Sequence, residues 1–364
     1  MSTTASPAAT GAGPARLHLS ENPFGCSPAA LRAAREALDP TARYPDPART
    51  DVAAAIAVHA GVDRTQVAVA NGSDELVLLA ALALGDRDRP GVTTAGTFPG
   101  YRICLDTVGR GCEEVPLDGG RTDAGAVAAA MDGAGIAYLC HPHNPSGAVL
   151  DRAAFDLLVE RAAATGTPLV VDEAYLEFAP AGTPQVLDYL DGGAPLLSLR
   201  TLSKAYGLAA LRIGYAVGRA DLVARLHAVQ GTMPFSVNAV AQAAAVAALA
   251  DRDHLADVVR RNDRRRDWFR DELRRRGRQS LPTTTNFVAV PVSDPAAAER
   301  LLAEEHGILV RDAGRFGFAG HLRISLGPED ALVRVLDALD VIDPVGAPAE
   351  DPRPFAAAGA PSAR

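Results

Sequence analysis

Apolar and polar residues follow two different periods along the chain, and the period changes repeatedly between about residues 50 and 250. In 29–38 and 74–84 apolar residues recur every three to four positions, which is typical of a helix that buries one face. Residues 66–70 form a short apolar run with β-branched side chains, which is typical of a strand. The pattern therefore predicts strands that alternate with helices.

Three later apolar runs each end in polar residues. They are "GIAYLCHP" (135–142), "TPLVVDEAY" (167–175) and "PLLSLRTLS" (195–203), and the helical stretch 152–164 separates the first two. This alternation indicates an α/β fold, in which a large domain has a mostly parallel sheet flanked by helices. Ligands of such sheets bind just beyond the carboxyl ends of the strands, so the polar residues there are the candidates for function.

Beyond residue 255 the pattern changes. Strand-like runs at 285–292, 307–312 and 321–327 are mixed with helical runs at 294–305 and 329–341, which indicates a smaller α+β domain. The predicted organisation is listed in chain order: a disordered tail over 1–15, an N-terminal arm and small-domain segment over 16–45, a large domain over 46–254, a small domain over 255–344, and a second disordered tail over 345–364.

Charge and composition narrow the class of protein. A net charge of −8 argues against nucleic acid as the main partner. The arginine-rich stretch 260–278 also carries acidic residues at helical spacing, which predicts a solvated, salt-bridged helix. The longest apolar stretch, 239–250, is too short for a bilayer span, and the N-terminus lacks the pattern of a signal peptide. Four cysteines without CxxC spacing fit a reducing cytoplasm.

Lys204 is the one lysine among 36 lysine and arginine residues. A lysine amine can lose its proton when it is desolvated and can then attack a carbonyl group or move a proton, whereas arginine stays charged. A single lysine therefore suggests chemistry, although a surface lysine left by chance in an arginine-rich chain is equally compatible with composition alone.

The segments around Lys204 resemble those of a known family. Its members are the fold-type I pyridoxal-phosphate enzymes, and the likeness is greatest to aminotransferases of the histidinol-phosphate aminotransferase kind. The matching segments occur in the family's order and are "SENPFG", "RYP", "NGSDE", "NPSG", "VDEAYLEF", "LRTLSKAYGLAALR", "TNFV" and "LRISLG". Each match is weak by itself, but the set covers nearly the whole chain between the tails.

The resemblance implies pyridoxal 5'-phosphate as the cofactor and assigns its partners. Lys204 would hold the cofactor aldehyde as a Schiff base and would later carry the proton. Asp172 would pair with the pyridinium nitrogen, and Tyr175 and Asn144 would bind the phenolic oxygen of the ring. The catalytic set is therefore Lys204, Asp172 and Tyr175.

The resemblance also implies how the rest of the cofactor is held. Backbone amides of Ser73 and Asp74 at a helix start, with Ser203 and Arg212, would bind the phosphate; Ser73 is also the expected capping residue of that helix. The ring would lie between Phe98, or Tyr101 as the second choice, and Ala174. Tyr44 would reach the phosphate of the neighbouring subunit, which implies a homodimer with shared active sites.

The substrate is expected to be anionic. Arg311 and Arg323 match two family arginines that bind the anionic end of the substrate, and Asn22 matches a residue of the segment that covers it. The N-terminal segment lacks the tyrosine arm that relatives usually carry, because Tyr44 is the first tyrosine in the chain. Part of the phosphate clamp for histidinol phosphate is therefore missing, and salt bridges within the small domain remain an alternative for both arginines.

Two other readings are less favoured. His141 and His143 form an H-x-H pair without an evident third ligand, so no metal is predicted. The Ser203–Lys204 pair lacks the G-x-S-x-G elbow of a hydrolase. The sequence thus predicts a cytoplasmic, homodimeric aminotransferase that moves an amino group between histidinol phosphate, or a similar anionic amine, and 2-oxoglutarate or glutamate. An aromatic or other amino-acid aminotransferase, a pyridoxal-phosphate decarboxylase or oxidase, and a non-catalytic relative are the alternatives.

Overall fold

The computed structural model describes residues 13–345 of the chain. Its strands are β1 (Ala15–Arg16), β2 (Val67–Ala70), β3 (Gly91–Thr94), β4 (Cys112–Val115), β5 (Ile136–Cys140), β6 (Leu169–Asp172), β7 (Leu196–Thr201), β8 (Gly214–Gly218), β9 (Phe287–Pro291), β10 (Ile308–Leu309), β11 (Arg311–Asp312) and β12 (His321–Ser325). Its helices are α1 (Pro28–Glu36), α2 (Thr50–Ala60), α3 (Gly72–Ala83), α4 (Gly100–Thr107), α5 (Ala124–Ala130), α6 (Arg152–Thr165), α7 (Ala220–Gln230), α8 (Ala239–Ala250), α9 (Arg252–Arg275), α10 (Pro295–His306) and α11 (Glu329–Ile342).

A seven-stranded sheet forms the centre of the larger unit, with the order β2-β8-β7-β6-β5-β3-β4. The pairs among β7, β6, β5, β3 and β4 are all parallel, and β8 runs antiparallel to both of its neighbours. The mostly parallel sheet flanked by helices that the sequence pattern predicts is confirmed.

Every strand of this sheet except the edge strand β4 is buried on both faces, which is typical of a sheet covered by helices on both sides. In β5, Ile136 and Tyr138 pack with α3 and α4 on one face, whereas Ala137 and Leu139 pack with α5 and α6 on the other. Alternate residues of a strand point to opposite faces, so one five-residue strand contributes to two hydrophobic clusters. The sheet is therefore held rigidly between two helical layers.

The smaller unit contains the antiparallel sheet β11-β12-β9, and helices α9, α10 and α11 pack on it. The run 307–312 was expected to form one strand, and this is wrong in detail. Ile308–Leu309 pairs in parallel with β1, whereas Arg311–Asp312 pairs with β12. The chain changes partner at Val310 because β1, at the start of the described chain, occupies the position beside β10.

The N-terminal strand bears on the predicted tails. Ala15 lies inside β1, so the described chain is already ordered at a position that the predicted tail 1–15 included. Residues 1–12 and 346–364, and with them most of both predicted tails, lie outside the described residues. The proposed division into domains otherwise stays a prediction.

The arginine-rich stretch is part of α9, which begins earlier than expected, at Arg252. Ion pairs at helical spacing join Arg266 to Asp263 and Arg274 to Asp271, and Phe269 is buried on the opposite face. The expected solvated, salt-bridged helix is therefore present. Within the described chain, no helix combines the length and the apolar character that a membrane span requires.

Candidate active site

Three adjacent parallel strands bring the predicted catalytic residues to one edge of the large sheet. Cys140 at the end of β5 is paired with Asp172 at the end of β6, and Asp172 is paired with Leu199 of β7. Asn144 and Lys204 lie a few residues beyond the ends of β5 and β7. The site therefore lies where open α/β sheets bind their ligands.

Asp172 is a buried carboxylic acid with one hydrogen bond to each oxygen. The Tyr101 hydroxyl donates to Oδ2 at 2.6 Å, and the backbone N–H of Ala174 donates to Oδ1 at 3.2 Å. Burial raises the pKa of Asp172 to about 6, although both hydrogen bonds oppose that rise. A cationic group placed beside Asp172 would favour its ionised form.

Lys204 lies in the same site with a half-buried side chain. Its Nζ donates to the carbonyl oxygen of Leu19 at 2.9 Å and lies 5.7 Å from the centre of the Tyr175 ring. Burial, followed by the positive charge of Arg323, lowers the pKa of Lys204 to about 8. A substantial fraction of this amine is therefore neutral near physiological pH, as a nucleophile or a proton acceptor requires.

An anion cradle lies at the start of α3, and we use this name for Gly72, Ser73, Asp74, Ser203 and Arg212. The Arg212 guanidinium donates to Ser203 Oγ at 3.3 Å and to an Asp74 carboxylate oxygen at 2.9 Å. Gly72 has a φ of +83°, and a Cβ atom there would lie 2.6 Å from Arg212 Nη2. Because residue 72 is glycine, the Arg212 guanidinium can lie against the N-terminus of α3. An anion bound at this helix N-terminus would then contact Arg212 as well.

The predicted helix start was two residues late. The residue before α3 is Asn71, which makes no side-chain capping bond, and Ser73 lies inside the first turn instead of capping it. The left-handed backbone at Gly72 lets the helix begin earlier, because glycine adopts this conformation readily. Ser73 and Asp74 are still in the first turn, where backbone amides lack helical partners.

The aromatic residues near Asp172 do not all have the expected positions. Phe98 is half-buried and meets Tyr101 edge to face, with ring centres 5.4 Å apart. Tyr101 is fully buried, its ring stacks on Tyr138 and its hydroxyl contacts Asp172. These contacts favour Phe98 over Tyr101 for ring stacking, and Phe98 and the buried Ala174 stay predictions for the two faces.

The small sheet contributes two arginines. Arg323 is buried and donates to Asn144 Oδ1 at 2.8 Å and to the His18 carbonyl at 2.6 Å. Arg311 lies directly opposite Arg323 in the β11–β12 ladder, so both side chains share one face of the sheet. Among residues 13–345 neither guanidinium forms an ion pair with a carboxylate, which leaves both positive charges uncompensated.

Tyr175, Asn22 and Tyr44 have different surroundings. Tyr175 is buried and its ring meets Phe287 edge to face at 5.1 Å, beside Lys204. The side-chain amide of Asn22 donates to the Ala205 carbonyl at 2.9 Å and accepts from the Phe24 N–H. It therefore joins the N-terminal segment to the residue that follows Lys204. Tyr44 is 81% exposed and its ring stacks on Phe235.

The H-x-H pair is engaged in hydrogen bonds within the protein. His141 Nε2 lies 3.0 Å from the Pro184 carbonyl, and His143 Nδ1 lies 2.8 Å from Ser146 Oγ. Burial lowers the pKa of both imidazoles to about 4, so both are neutral at physiological pH. The described residues contain no group of three or more His, Cys, Asp or Glu side chains that could hold a metal ion.

Sequence reasoning missed two contacts of the site. The bond from Tyr101 to Asp172 joins residues 71 positions apart, and the bond from Lys204 to Leu19 joins residues 185 positions apart. The first could have been suspected from chain order, because α4 follows β3, and β3 lies beside β5 at the same end of the sheet as Asp172. The second has no sequence signal, because a backbone carbonyl is the acceptor.

The site has the groups that pyridoxal phosphate requires. Lys204 can bind an aldehyde, Asp172 can pair with a protonated ring nitrogen, and the anion cradle can bind a phosphate. These groups, gathered at one edge of the large sheet, are the set that a pyridoxal-phosphate-dependent enzyme requires.

Comparison with known proteins agrees with this class and identifies the family. The family model of aminotransferase class I and II matches residues 15–339. The chain therefore belongs to the class I and II aminotransferases, and it is a pyridoxal-phosphate-dependent aminotransferase.

Individual relatives are similar over nearly their whole length. A histidinol-phosphate aminotransferase of Geobacillus sp. is 35% identical over 326 residues, which are 89% of this chain and 88% of the relative. Histidinol-phosphate aminotransferase 2 of Pseudomonas aeruginosa is also 35% identical over 326 residues, again 89% and 88% of the two chains. The crystal structure of histidinol-phosphate aminotransferase from Sinorhizobium meliloti in complex with pyridoxal-5'-phosphate has a TM-score of 0.83 at 31% identity, and the match covers 91% of this chain and 90% of the other.

Proposed function

We propose that this aminotransferase moves an amino group between histidinol phosphate, or a similar anionic amine, and the 2-oxoglutarate and glutamate pair. The observation that carries the proposal is the pair of uncompensated guanidinium groups, Arg311 and Arg323, on the site face of the small sheet. The names of the similar proteins from Geobacillus and Pseudomonas aeruginosa support the same substrate.

The cofactor would be held by the residues that the sequence nominated. Lys204 binds its aldehyde, and Ser203, Arg212 and the amides of Ser73 and Asp74 bind its phosphate. Tyr175 and Asn144 bind its phenolic oxygen, and Phe98 and Ala174 cover its ring. When bound, pyridoxal phosphate accepts the electron pair that is released when the substrate C–H bond breaks.

Asn144 has a second task in this proposal. Its Oδ1 accepts a hydrogen bond from Arg323, so the amide Nδ2 faces away from the guanidinium and can donate to the cofactor. One side chain thereby joins the cofactor side of the site to the substrate side. Arg323 is consequently fixed before any substrate arrives, which reduces the ordering that binding requires.

Lys204 is the proton carrier. Its pKa of about 8 means that the ammonium and the neutral amine are both populated near neutral pH, so a proton can be taken up and released at Nζ. The Leu19 carbonyl lies 2.9 Å from Nζ and can accept a hydrogen bond from either form. Arginine at position 204 could not perform this role because it retains its proton.

Two positive groups suit a phosphate monoester, which carries close to two negative charges at neutral pH. An aromatic amino acid has a single carboxylate, which carries one negative charge and needs one guanidinium. An aromatic amino acid is the second candidate substrate, because part of the clamp that relatives use for the substrate phosphate is missing. The first tyrosine of the chain is Tyr44, so no tyrosine arm precedes the "ENP" segment. Arg311 would then contribute little to substrate binding.

We also propose a cytoplasmic homodimer with shared sites. Tyr44, 81% exposed, stacks on Phe235 at 4.5 Å, and Met233, two residues before Phe235, is also exposed. These apolar side chains form a surface suited to a second subunit. The four cysteines are unpaired among the described residues, as in a reducing compartment. The proposed large domain is 46–254 and the small domain 255–344.

Single-turnover conversion of the bound cofactor to its pyridoxamine form tests the substrate. Histidinol phosphate, phenylalanine and glutamate are compared in parallel on the parent enzyme, Arg311→Gln and the control Arg274→Gln, whose residue pairs with Asp271 on the exposed face of α9. We expect Arg311→Gln to raise the half-saturating concentration of histidinol phosphate at least about tenfold, as loss of a charge-assisted bond implies. The control should leave it unchanged.

The outcomes separate the two candidates. Fast conversion by phenylalanine together with slow conversion by histidinol phosphate would replace the first candidate with the second. Failure of glutamate would contradict glutamate as the amino donor or product. Equal effects of Arg311→Gln and Arg274→Gln would show that Arg311 does not bind the substrate.

A further inference from the structure

Two buried tyrosines stack in parallel beneath the active site but use their hydroxyl groups differently. Tyr101 and Tyr138 are each at most 1% exposed, and their ring centres lie 5.4 Å apart at an interplanar angle of 10°. Tyr138 donates to the Val77 carbonyl in α3 at 2.9 Å, an ordinary structural bond. Tyr101 instead donates to the carboxylate of Asp172 at 2.6 Å.

The groups around Asp172 explain why the hydrogen bond from Tyr101 affects the charge of this carboxyl group. Cys140 on the neighbouring strand is buried, and its pKa is raised to about 12, so its thiol is neutral. Asp74 raises the pKa of Asp172, whereas Lys204 lowers it from the cofactor side. Desolvation is the largest effect and opposes ionisation, so the hydrogen-bond donors at the two oxygens are what favour the charged form.

We propose that Tyr101 is the positioning residue of Asp172: its hydroxyl group holds the carboxylate ionised and in one orientation for the cofactor. Tyr101 comes from α4, whereas the second donor, the Ala174 amide, comes from the chain that follows β6. Two donors from different elements fix both oxygens of the carboxylate, so rotation about χ2 would break both bonds.

Tyr101 is suited to this task at any working pH. Burial, followed by the negative charge of Asp172, raises the pKa of Tyr101 well above its ordinary value of 10. The phenol therefore keeps its proton and stays a donor. A serine or threonine at this position would be too short to reach Asp172 from α4, and histidine could exchange its proton in the physiological range.

The test compares Tyr101→Phe with Tyr138→Phe. Each substitution removes one hydroxyl group from one of two stacked, buried rings, so the two share their packing and differ in the partner that is lost. The readout is the pH midpoint of the visible absorbance of the bound cofactor, measured on the purified holoenzyme. Thermal unfolding at one pH reports whether each variant keeps its fold.

We expect Tyr101→Phe to move the absorbance midpoint upward by about one pH unit, a tenfold change in proton affinity. If Asp172 is less ionised, the pyridine nitrogen of the bound cofactor keeps less positive charge. The nitrogen that joins Lys204 to the cofactor, whose protonation the absorbance reports, then holds its proton more tightly because the positive charge near it is weaker. Tyr138→Phe should leave the midpoint unchanged. Equal midpoints for the two variants would overturn the proposal, because a structural role alone predicts no difference.

A double mutant tests the same link independently of the ring packing. In the Asp172→Asn background, addition of Tyr101→Phe should produce no further shift, since the carboxylate it acts on is absent. A full additional shift would contradict the proposal. This result does not depend on which amine the enzyme takes as substrate.

If Tyr101→Phe fails to fold, the wild-type apoprotein labelled at the tyrosine ζ carbon provides a second measurement. One tyrosine signal should shift with a midpoint near the Asp172 pKa of about 6, and this shift should be absent in Asp172→Asn. Absence of any such tyrosine signal in the wild-type protein would overturn the assignment.

Discussion

Replacement of Gly72 by alanine tests whether Arg212 binds the cofactor phosphate. The added Cβ would lie 2.6 Å from Arg212 Nη2 and 3.2 Å from its Cζ. A guanidinium is the mobile end of its side chain, so we expect the protein to fold while Arg212 moves away from the cradle. The bond to Ser203 Oγ, now 3.3 Å, would be lost with it.

The expected effect can be separated from backbone strain. Gly72 has φ +83° and Gly61 has φ +69°, and a Cβ at Gly61 would have no neighbour within 4 Å. Alanine costs about 1–2 kcal/mol at either position because of the left-handed backbone. Only Gly72→Ala also displaces Arg212. Loss of one charge-assisted hydrogen bond of about 1.5–3 kcal/mol weakens binding about 10- to 100-fold.

The assay is the dissociation constant of pyridoxal phosphate, measured by equilibrium dialysis of the apoenzyme. Pyridoxal, which lacks the phosphate, serves as the matched ligand. Gly72→Ala should weaken pyridoxal phosphate about 10- to 100-fold more than Gly61→Ala does, and should affect pyridoxal equally little in both. If the two variants bind pyridoxal phosphate equally, the cradle does not use Arg212, and the reasoning from the Gly72 contact is refuted.

Two further predictions concern Lys204 and Arg200. The rate at which the apoenzyme takes up pyridoxal phosphate should rise with pH and level off above about pH 8, because only the neutral amine of Lys204 attacks and its pKa is about 8. Borohydride reduction followed by peptide mass spectrometry should place the label on Lys204. A rate that does not depend on pH would contradict the assignment. Arg200 lies between the buried carboxylates of Glu173 and Glu177, so Arg200→Met should lower the free energy of unfolding by about 3–5 kcal/mol by leaving buried charge unpaired. Exposed Arg300→Gln should leave the melting temperature unchanged, and equal melting temperatures for the two variants would show that the buried network does not stabilise the fold.

The sequence predicted β2, β5, β6 and β7 of the large sheet because each is a short run that is buried on both faces. It did not single out β3, β4 or β8, and β4 is a polar edge strand with the sequence CEEV. The polar residues at the ends of β5, β6 and β7 therefore gave the position of the site as well. The prediction of one strand at 307–312 was wrong for a physical reason. β10 and β11 are each two residues long; β10 pairs with β1, more than 290 residues away, whereas β11 pairs with β12, about ten residues away. Local pattern cannot distinguish such partners.

Site residues were predictable where a covalent or ionic role demands one residue type. Lys204, Asp172 and Arg323 belong to this group, and the structure brings them together. Tyr101 was the second choice for its ring, whereas the structure shows its ring stacked on Tyr138 and its hydroxyl group bonded to Asp172. Which part of an amphipathic side chain is used depends on neighbours that are distant in sequence.

Lys204 carries the only ε-amine of the chain and lies in the active site, which affects how the cofactor attaches to the protein. Pyridoxal phosphate is an aldehyde, and on a typical protein surface it forms adventitious adducts with many lysines. This chain offers it a single side-chain amine, Lys204, beside Asp172 and the cradle. Every side-chain adduct therefore lies at Lys204, so the number of side-chain adducts per chain directly counts occupied active sites.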